Sequence, residues 1–212
     1  MHKVSFALIG TILAIILALL TAWWYFGPKG ESSTENIQAD VITYSTDRPD
    51  EGRPGAGYAW RGGDDDPKKI ILPGVGVDAY IQNVGVDQNE QIAVPNNIHI
   101  AGWFVDSVRP GENGLSIIDR HVDGRTVSDG VFSKLEKLSE GDAVMIEMGD
   151  GRTLHYRVRR LTTIVTEDSA GILYSQLPGT VSQLNLITCT GTYLKDKKTY
   201  DQRMIVAAEL VQ

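Results

Sequence analysis

The strongest constraint on the fold is a succession of short β-branched runs, cut by turn residues, that begins at Lys69 and continues to the end of the chain. Runs of this length bounded by Gly, Pro, Asn and Asp read as strands. The candidates are Lys69–Leu72, Val75–Val86, Ile92–Val94, Ile98–Phe104, Leu115–His121, Ala143–Met148, Thr153–Val165, Leu184–Thr190 and Arg203–Val211. Pro73-Gly74, Pro95-Asn96-Asn97 and Pro110-Gly111 separate them, and Gly149-Asp150-Gly151, between two alternating runs, is a hairpin turn. Gly130 to Leu138 has helical spacing, with Val131, Phe132, Leu135 and Leu138 on one face and Ser128 or Asp129 as cap; Asp168 to Tyr174 is a second short helical turn. Many strands and little helix predict an all-β dominated domain over residues 69–212, closed or nearly closed into a β-barrel. Its length suffices for one core.

The start of the chain obeys different physics. No charged residue lies between Lys3 and Lys29, and Val4 to Phe26 is mostly Leu, Ile, Ala, Val and aromatics. About 20 apolar helical residues cross a bilayer core of roughly 30 Å. Trp23, Trp24, Tyr25 and Phe26 suit an interface, and Lys3 on the short leading end favours an N-terminus-in orientation. The expectation is a cytoplasmic end over 1–3, an uncleaved transmembrane signal anchor over 4–26, and a single-pass protein of the cell membrane with the domain over 69–212 extracytoplasmic. A cleaved signal peptide fits less well, because the apolar region is long and the small-x-small pattern around Ala22 is poor. Residues 27–68 are rich in Gly, Ser, Asp, Glu, Pro and Arg and read as a flexible linker. Such a coil of some 40 residues spans roughly 35 Å. Tyr58 and Trp60 are the two residues in it suited to docking on the domain. Asp64, Asp65 and Asp66 form a solvated acidic turn rather than a spaced set of metal ligands, and no metal site is expected.

A formal charge of -7 and a pI near 5.1 argue against nucleic acid as a partner. There is no Walker loop, dinucleotide fingerprint or Cys/His cluster at zinc spacing. Cys189 is the only cysteine, so outside the cytoplasm it has no internal disulfide partner. It stands near the end of an apolar run and is followed by Thr190-Gly191, which opens a loop. His121 ends the run Leu-Ser-Ile-Ile-Asp-Arg-His, and Arg203 begins the last strand. His99 and His155 lie inside strand patterns and read as packing or surface residues. A thiol needs a base or a positive field to become a nucleophile, and acyl transfer needs donors for the developing oxyanion. An arginine supplies field and donors together. The triple is therefore a candidate nucleophilic site. Strand-margin residues are also often merely exposed, and spacing alone leaves both readings open.

The ordered landmarks decide further. Leu72 to Ala79 (LPGVGVDA), Ile92 to Asn96 (IAVPN), Ala101 to Phe104 (AGWF), the histidine strand, Val131 to Leu135 (VFSKL) closing on Gly141-Asp142, Leu186 to Cys189 (LITC) and Arg203 to Val206 (RMIV) together resemble the sortases, membrane-anchored cysteine transpeptidases. The pattern is nearest to the single-domain class D, E or F types. The resemblance implies a sortase-type closed β-barrel of about eight strands with short helices. It implies cleavage of an LPXTG-like sorting signal between Thr and Gly by Cys189, with His121 as acid and Arg203 at the oxyanion. The acyl group would pass from the thioacyl-enzyme to an amine of a cell-wall precursor or pilin. No cofactor is implied. The loop from Thr166 to Gln183 corresponds to the segment that shapes the substrate groove, which makes Ile172, Leu173, Tyr174 and Leu177 candidate walls. Thr188, beside the nucleophile, is a further candidate. Arg120 stands where the family usually has glycine; it is expected either to enter the cleft, disfavouring a protonated His121, or to face solvent. Two other classes remain: an inactive anchored adaptor with the same fold, and an extracytoplasmic cysteine peptidase that hydrolyses its thioester.

Overall fold

The computed structural model describes residues 40–46, 48–55, 57–120, 130–197 and 199–211. Eight strands close into one barrel: β1 (Pro67–Leu72), β2 (Val77–Val84), β3 (Ile100–Phe104), β4 (Gly114–Arg120), β5 (Ala143–Met148), β6 (Thr153–Val165), β7 (Ser182–Leu194) and β8 (Thr199–Leu210). Around the wall the order is β1-β2-β3-β4-β7-β8-β6-β5, and β1 pairs with β5 to complete the ring. The β2/β3 and β4/β7 pairs are parallel and the others antiparallel. Period-2 alternation sorts the side chains. Ile70, Leu72, Ile81, Trp103, Ile118, Val144, Ile146, Leu184, Leu186, Val206 and Ala208 fill the interior, and full closure leaves no sheet edge to protect.

Several boundaries move for local reasons. β2 begins at Val77 rather than Val75 because Pro73–Val75 forms a 3-10 turn ending on Gly76 at φ 71. Ile92–Val94 makes only an isolated bridge, Val86 to Ile92. The expected helix over Gly130–Leu138 is instead a series of tight turns with one 3-10 turn at Leu135–Lys137. Its backbone bonds run from residue i+3 back to i, as from Ser133 to Gly130 and Leu138 to Leu135. So short a segment nucleates an α-helix poorly, while the turns still bury Val131, Phe132, Leu135 and Leu138 against the core. The expected caps Ser128 and Asp129 lie outside the described residues. Thr166–Asp168 and Ser169–Leu173 form a 3-10 turn and a short α-helix, as expected. The hairpin at Gly149-Asp150-Gly151 joins β5 to β6, also as expected.

Composition assigns residues 27–68 to a flexible linker, but from Asp40 onward the chain is laid against the barrel. Ile42 bridges to Val84 and Asp50 to Asn97. The Trp60 indole donates to the Ile81 carbonyl at 3.0 Å, and Tyr58 stacks obliquely on Tyr80 with ring centroids 4.7 Å apart. Asp66 is buried, and its carboxylate accepts from Gly63 N, Asn83 Nδ2 and Arg109 Nε. Backbone polar groups of an otherwise apolar-poor segment are satisfied by a neighbouring sheet, which composition alone does not register. Gly149 makes room for this strap: a Cβ there would lie 2.2 Å from the Gly63 carbonyl oxygen. The 4–26 apolar run lies outside the described residues. Among those described, no helix is long and apolar enough to cross a membrane.

Candidate functional site

Cys189 and Arg203 are direct register partners on the antiparallel strands β7 and β8. Paired residues of this kind project from the same face, with Cβ atoms about 4.5–5.5 Å apart. That face is the outer one. On β7, Leu184 and Leu186 point inward, leaving Asn185, Ile187 and Cys189 outward; on β8, Met204 and Val206 point inward, leaving Arg203 and Ile205 outward. Immediately beyond Cys189 the β7/β8 register shifts between Thr190 and Tyr193, with Gly191 at φ 86. A Cβ at Gly191 would lie 2.2 Å from Asp201 Oδ1, so glycine permits this irregularity twice over. The shift ends the regular ladder and leaves the cysteine half-buried at its margin.

Beside the pair lies an apolar shelf separate from the barrel core. Phe104 of β3, Ile117 of β4, Ile187 of β7, Ile205 of β8 and Leu173 of the short helix build it, with Ile92, Leu115, Ile164 and Ile172 at its borders. The loop that carries Leu173 is held by two outward amides of β7. Asn185 Nδ2 donates to the Leu173 carbonyl at 2.7 Å. Gln183 Nε2 donates to the Ser175 carbonyl at 3.1 Å, and Gln183 Oε1 accepts from Leu177 N at 2.7 Å. Both amides are 1% exposed, so these bonds form in a low dielectric where their geometry matters most. Sequence reading missed Gln183 and Asn185. The available signal was a pair of amides at alternate positions of an otherwise apolar strand.

Arg203 is half-buried and fixed at the rim. Nη1 donates to Thr166 Oγ1 at 3.0 Å and to the Tyr200 and Gln202 carbonyls at 3.1 and 3.0 Å, and Nη2 donates to Thr199 Oγ1 at 3.0 Å. Only the two terminal nitrogens are engaged in these bonds. Thr166 Oγ1 in turn donates to the Tyr200 carbonyl at 2.7 Å, tying the start of the 166–181 loop to the β7/β8 hairpin. His121, the residue after β4, lies outside the described residues.

The expected groove residues divide. Ile172 borders the shelf, half-buried; Leu173 is buried beneath it; Leu177 is half-buried; Tyr174 is 54% exposed. Thr188 does not belong with them. It is 4% exposed, and its hydroxyl donates to the Arg120 carbonyl at 3.0 Å. The reason is alternation: if Cys189 points outward, its neighbour points in.

The same rule overturns both expectations for Arg120. Ile118 and Arg120 face the barrel interior, while Ile117 and Asp119 face the shelf. Arg120 is 2% exposed, and Nε donates to the Ile98 carbonyl at 2.9 Å while Nη1 and Nη2 have no partner among the described residues. It enters neither the cleft nor solvent. Burial pushes its pKa down to about 9, opposed by the charge of Asp119. Asp119 itself is half-buried as a residue, but its Oδ1 is sealed off without a hydrogen bond. Burial pushes that carboxyl up to about 8, against the pull of Arg120 and Arg203.

Other cavities lie away from these residues. One of about 480 Å³ opens between residues 40–44, residues 58–62 and Ile81–Asn83 of β2, a strand separated from β7 by β3 and β4. Among the described residues, no group of three or more His, Cys, Asp or Glu is placed to hold a metal ion.

Comparison with known proteins gives the same fold. A family model described as the sortase domain matches residues 70–211. Sortase A from Corynebacterium diphtheriae, in a lid-mutant form, is similar at 24% identity and TM-score 0.54, covering 72% of this chain and 73% of its own. Sortase C-1 from Actinomyces oris is similar at 25% identity and TM-score 0.50, covering 70% and 76%. Streptococcus pneumoniae sortase C is similar at 19% identity and TM-score 0.52, covering 84% and 83%. No curated protein matches the chain.

Proposed function

The chain belongs to the sortase family, and from that premise we propose that it is a membrane-anchored cysteine transpeptidase acting on LPXTG-like sorting signals. The observation that carries the reading is the β7/β8 register: the only cysteine of the chain stands opposite an arginine on an outward face, at the edge of an apolar shelf. In this mechanism the Cys189 thiolate attacks the carbonyl carbon of the signal's threonine, and the carbonyl oxygen becomes an oxyanion. The positive charge of Arg203 lies across the strand pair from the thiol, and the rim bonds leave its Nε–H and one Nη2 N–H for an oxyanion. Collapse of the intermediate breaks the Thr–Gly bond. His121 gives its proton to the departing glycine amine and leaves a thioester on Cys189.

The support for His121 is its place in the chain. β4 runs parallel to β7 and ends with Arg120 opposite Thr188, the residue before Cys189, and His121 is the next residue of the sequence. An amine from a cell-wall precursor or a pilin then attacks the thioester, releases Cys189 and returns its proton through His121. On the loop that covers this cluster, the half-buried Ile172 and Leu177 and the exposed Tyr174 are the side chains we assign to the apolar part of the signal. The Val4–Phe26 span would hold the enzyme at the outer membrane face, where secreted substrates emerge. Incubation with a panel of LPXTG-like peptides and a glycine-based amine, read by mass spectrometry, tests the reading. Amide product identifies a transpeptidase, acid product alone a hydrolase, and absence of both with every peptide removes the proposal.

A further inference from the structure

We propose that the carboxyl group of Asp119 is a substrate-positioning group of this cleft, pairing with the backbone N–H and C=O of one residue of an extended acyl-donor peptide. The inference rests on the transpeptidase reading and adds a residue outside the Cys–His–Arg set.

Its place in the wall is the first argument. Asp119 leaves β4 on the outer face, opposite Ile187 of β7 and Gly102 of β3. Ile187 belongs to the apolar shelf, and Cys189 is the next residue of β7 on that face. On the β3 side Gly102 contributes no side chain, and Pro95 takes that space: a Cβ there would lie 2.8 Å from Pro95 Cδ. The carboxyl therefore sits in the floor between the shelf and the thiol.

The second argument is an unmet need. Asp119 Oδ1 is shut off from solvent and has no hydrogen-bond partner, in a region where the neighbouring buried amides Gln183 and Asn185 are bonded to the covering loop. Leaving a buried carboxyl oxygen bare is costly, so an occupant that bonds it is favoured. Asp119 as a residue keeps partial exposure, so a peptide that displaces what covers Oδ1 can satisfy it.

The third argument is protonation. Among the described residues, Arg120 on its own strand and Arg203 on β8 act on the carboxyl, the phenol of Tyr174 after the short helix responds to it, and Cys189 stands two residues beyond its β7 register partner Ile187. Burial raises the Tyr174 phenol first, with Asp119 and then Asp106 adding to it, so the phenol lies within electrostatic reach of the carboxyl. With its own pKa pushed up to about 8, Asp119 carries a proton at neutral pH and presents one O–H and one acceptor oxygen. In an extended peptide the N–H and C=O of one residue point to the same side, which is the complement of that pair. A carboxylate has no donor to give and loses half of the match.

Steady-state cleavage of a sorting peptide by the full-length protein, as wild type, Asp119→Ala and Asp119→Asn, tests this, with iodoacetamide alkylation of Cys189 measured without peptide. Loss of the pair in Asp119→Ala should raise KM about tenfold while kcat stays within about threefold and alkylation is unchanged. Asp119→Asn keeps a donor and an acceptor in the same shape and should stay within about threefold at pH 7. Wild-type KM should rise between about pH 7 and 9, as the proton leaves, and that rise should be missing in Asp119→Asn. If Asp119→Ala does not fold, the Asp119→Asn profile decides alone. Unchanged KM in Asp119→Ala, a loss confined to kcat, or a pH-dependent KM that persists in Asp119→Asn overturns the inference while leaving the transpeptidase intact. A wild type that cleaves no peptide of the panel overturns both.

Discussion

Replacing Arg120 by methionine should stabilise the barrel, and replacing it by glycine should not. Arg120 is 2% exposed and, among the described residues, donates once, from Nε to the Ile98 carbonyl, leaving Nη1 and Nη2 without partners. Each unsatisfied buried donor costs about 1–3 kcal/mol, so the two together cost about 2–6 kcal/mol. The single charge-assisted bond returns about 1.5–3 kcal/mol. Its acceptor is not orphaned by the change, because Val131 N also donates to the Ile98 carbonyl at 3.1 Å. Methionine keeps an apolar stem of similar reach, so the net expectation is a gain of about 1–2 kcal/mol, in line with buried charges replaced by packed apolar groups. Glycine removes the same charge but also the stem, at about 0.8 kcal/mol per buried CH₂, and adds about 0.5–1 kcal/mol of backbone entropy. The two variants should therefore differ by about 3 kcal/mol, a difference from which the charge cancels. Urea unfolding followed through the buried Trp103 measures it; with a slope near 2 kcal/mol/M the methionine variant should shift the midpoint up by roughly 0.5–1 M. A methionine variant less stable than wild type by more than about 1 kcal/mol would show that the guanidinium is well solvated or bonded inside the barrel, and the reasoning fails.

Five further outcomes are expected. Cys189→Ala should abolish thioester formation and transfer, since the sequence holds no second thiol, and Arg203→Ala should lose about 10²–10³ in rate with little rescue by lysine; peptide turnover reads both. Stability should fall as pH rises from about 4 to about 8, because native Asp119 keeps a proton that the unfolded chain has already released, and Asp119→Asn should flatten this slope in chemical denaturation at several pH values. Trp60→Ala should destabilise the protein by about 1–3 kcal/mol by removing the indole bond to Ile81 and the ring packed beside Gly149; thermal unfolding unchanged from wild type would return residues 57–66 to the status of a loose tether. The protein should fractionate with membranes through Val4–Phe26, and recovery of a soluble form beginning near Trp23 would remove the anchor.

The alternating runs of the sequence determine that the chain makes strands, and the spacing of breakers determines most of their limits. β5, with the bounds Ala143–Met148, and β6, with the bounds Thr153–Val165, are read correctly because period-2 patterning and a Gly-Asp-Gly turn are local properties. The candidate nucleophile is legible for the same kind of reason, since a single cysteine at a strand margin needs no partner to be noticed. Local pattern could not decide which face each margin residue takes. Thr188, Cys189 and Thr190 look alike in sequence, as do Asp119 and Arg120; the β4/β7 and β7/β8 registers put Cys189, Arg203 and Asp119 outside and Thr188 and Arg120 inside. Nor does composition record that residues 40–66 find hydrogen-bonding partners on β2 and on the β5/β6 hairpin, because those partners are distant in sequence. Periodicity is carried by neighbours along the chain. Register, burial and the satisfaction of polar groups are set between strands far apart along it, and only the closed barrel brings them together.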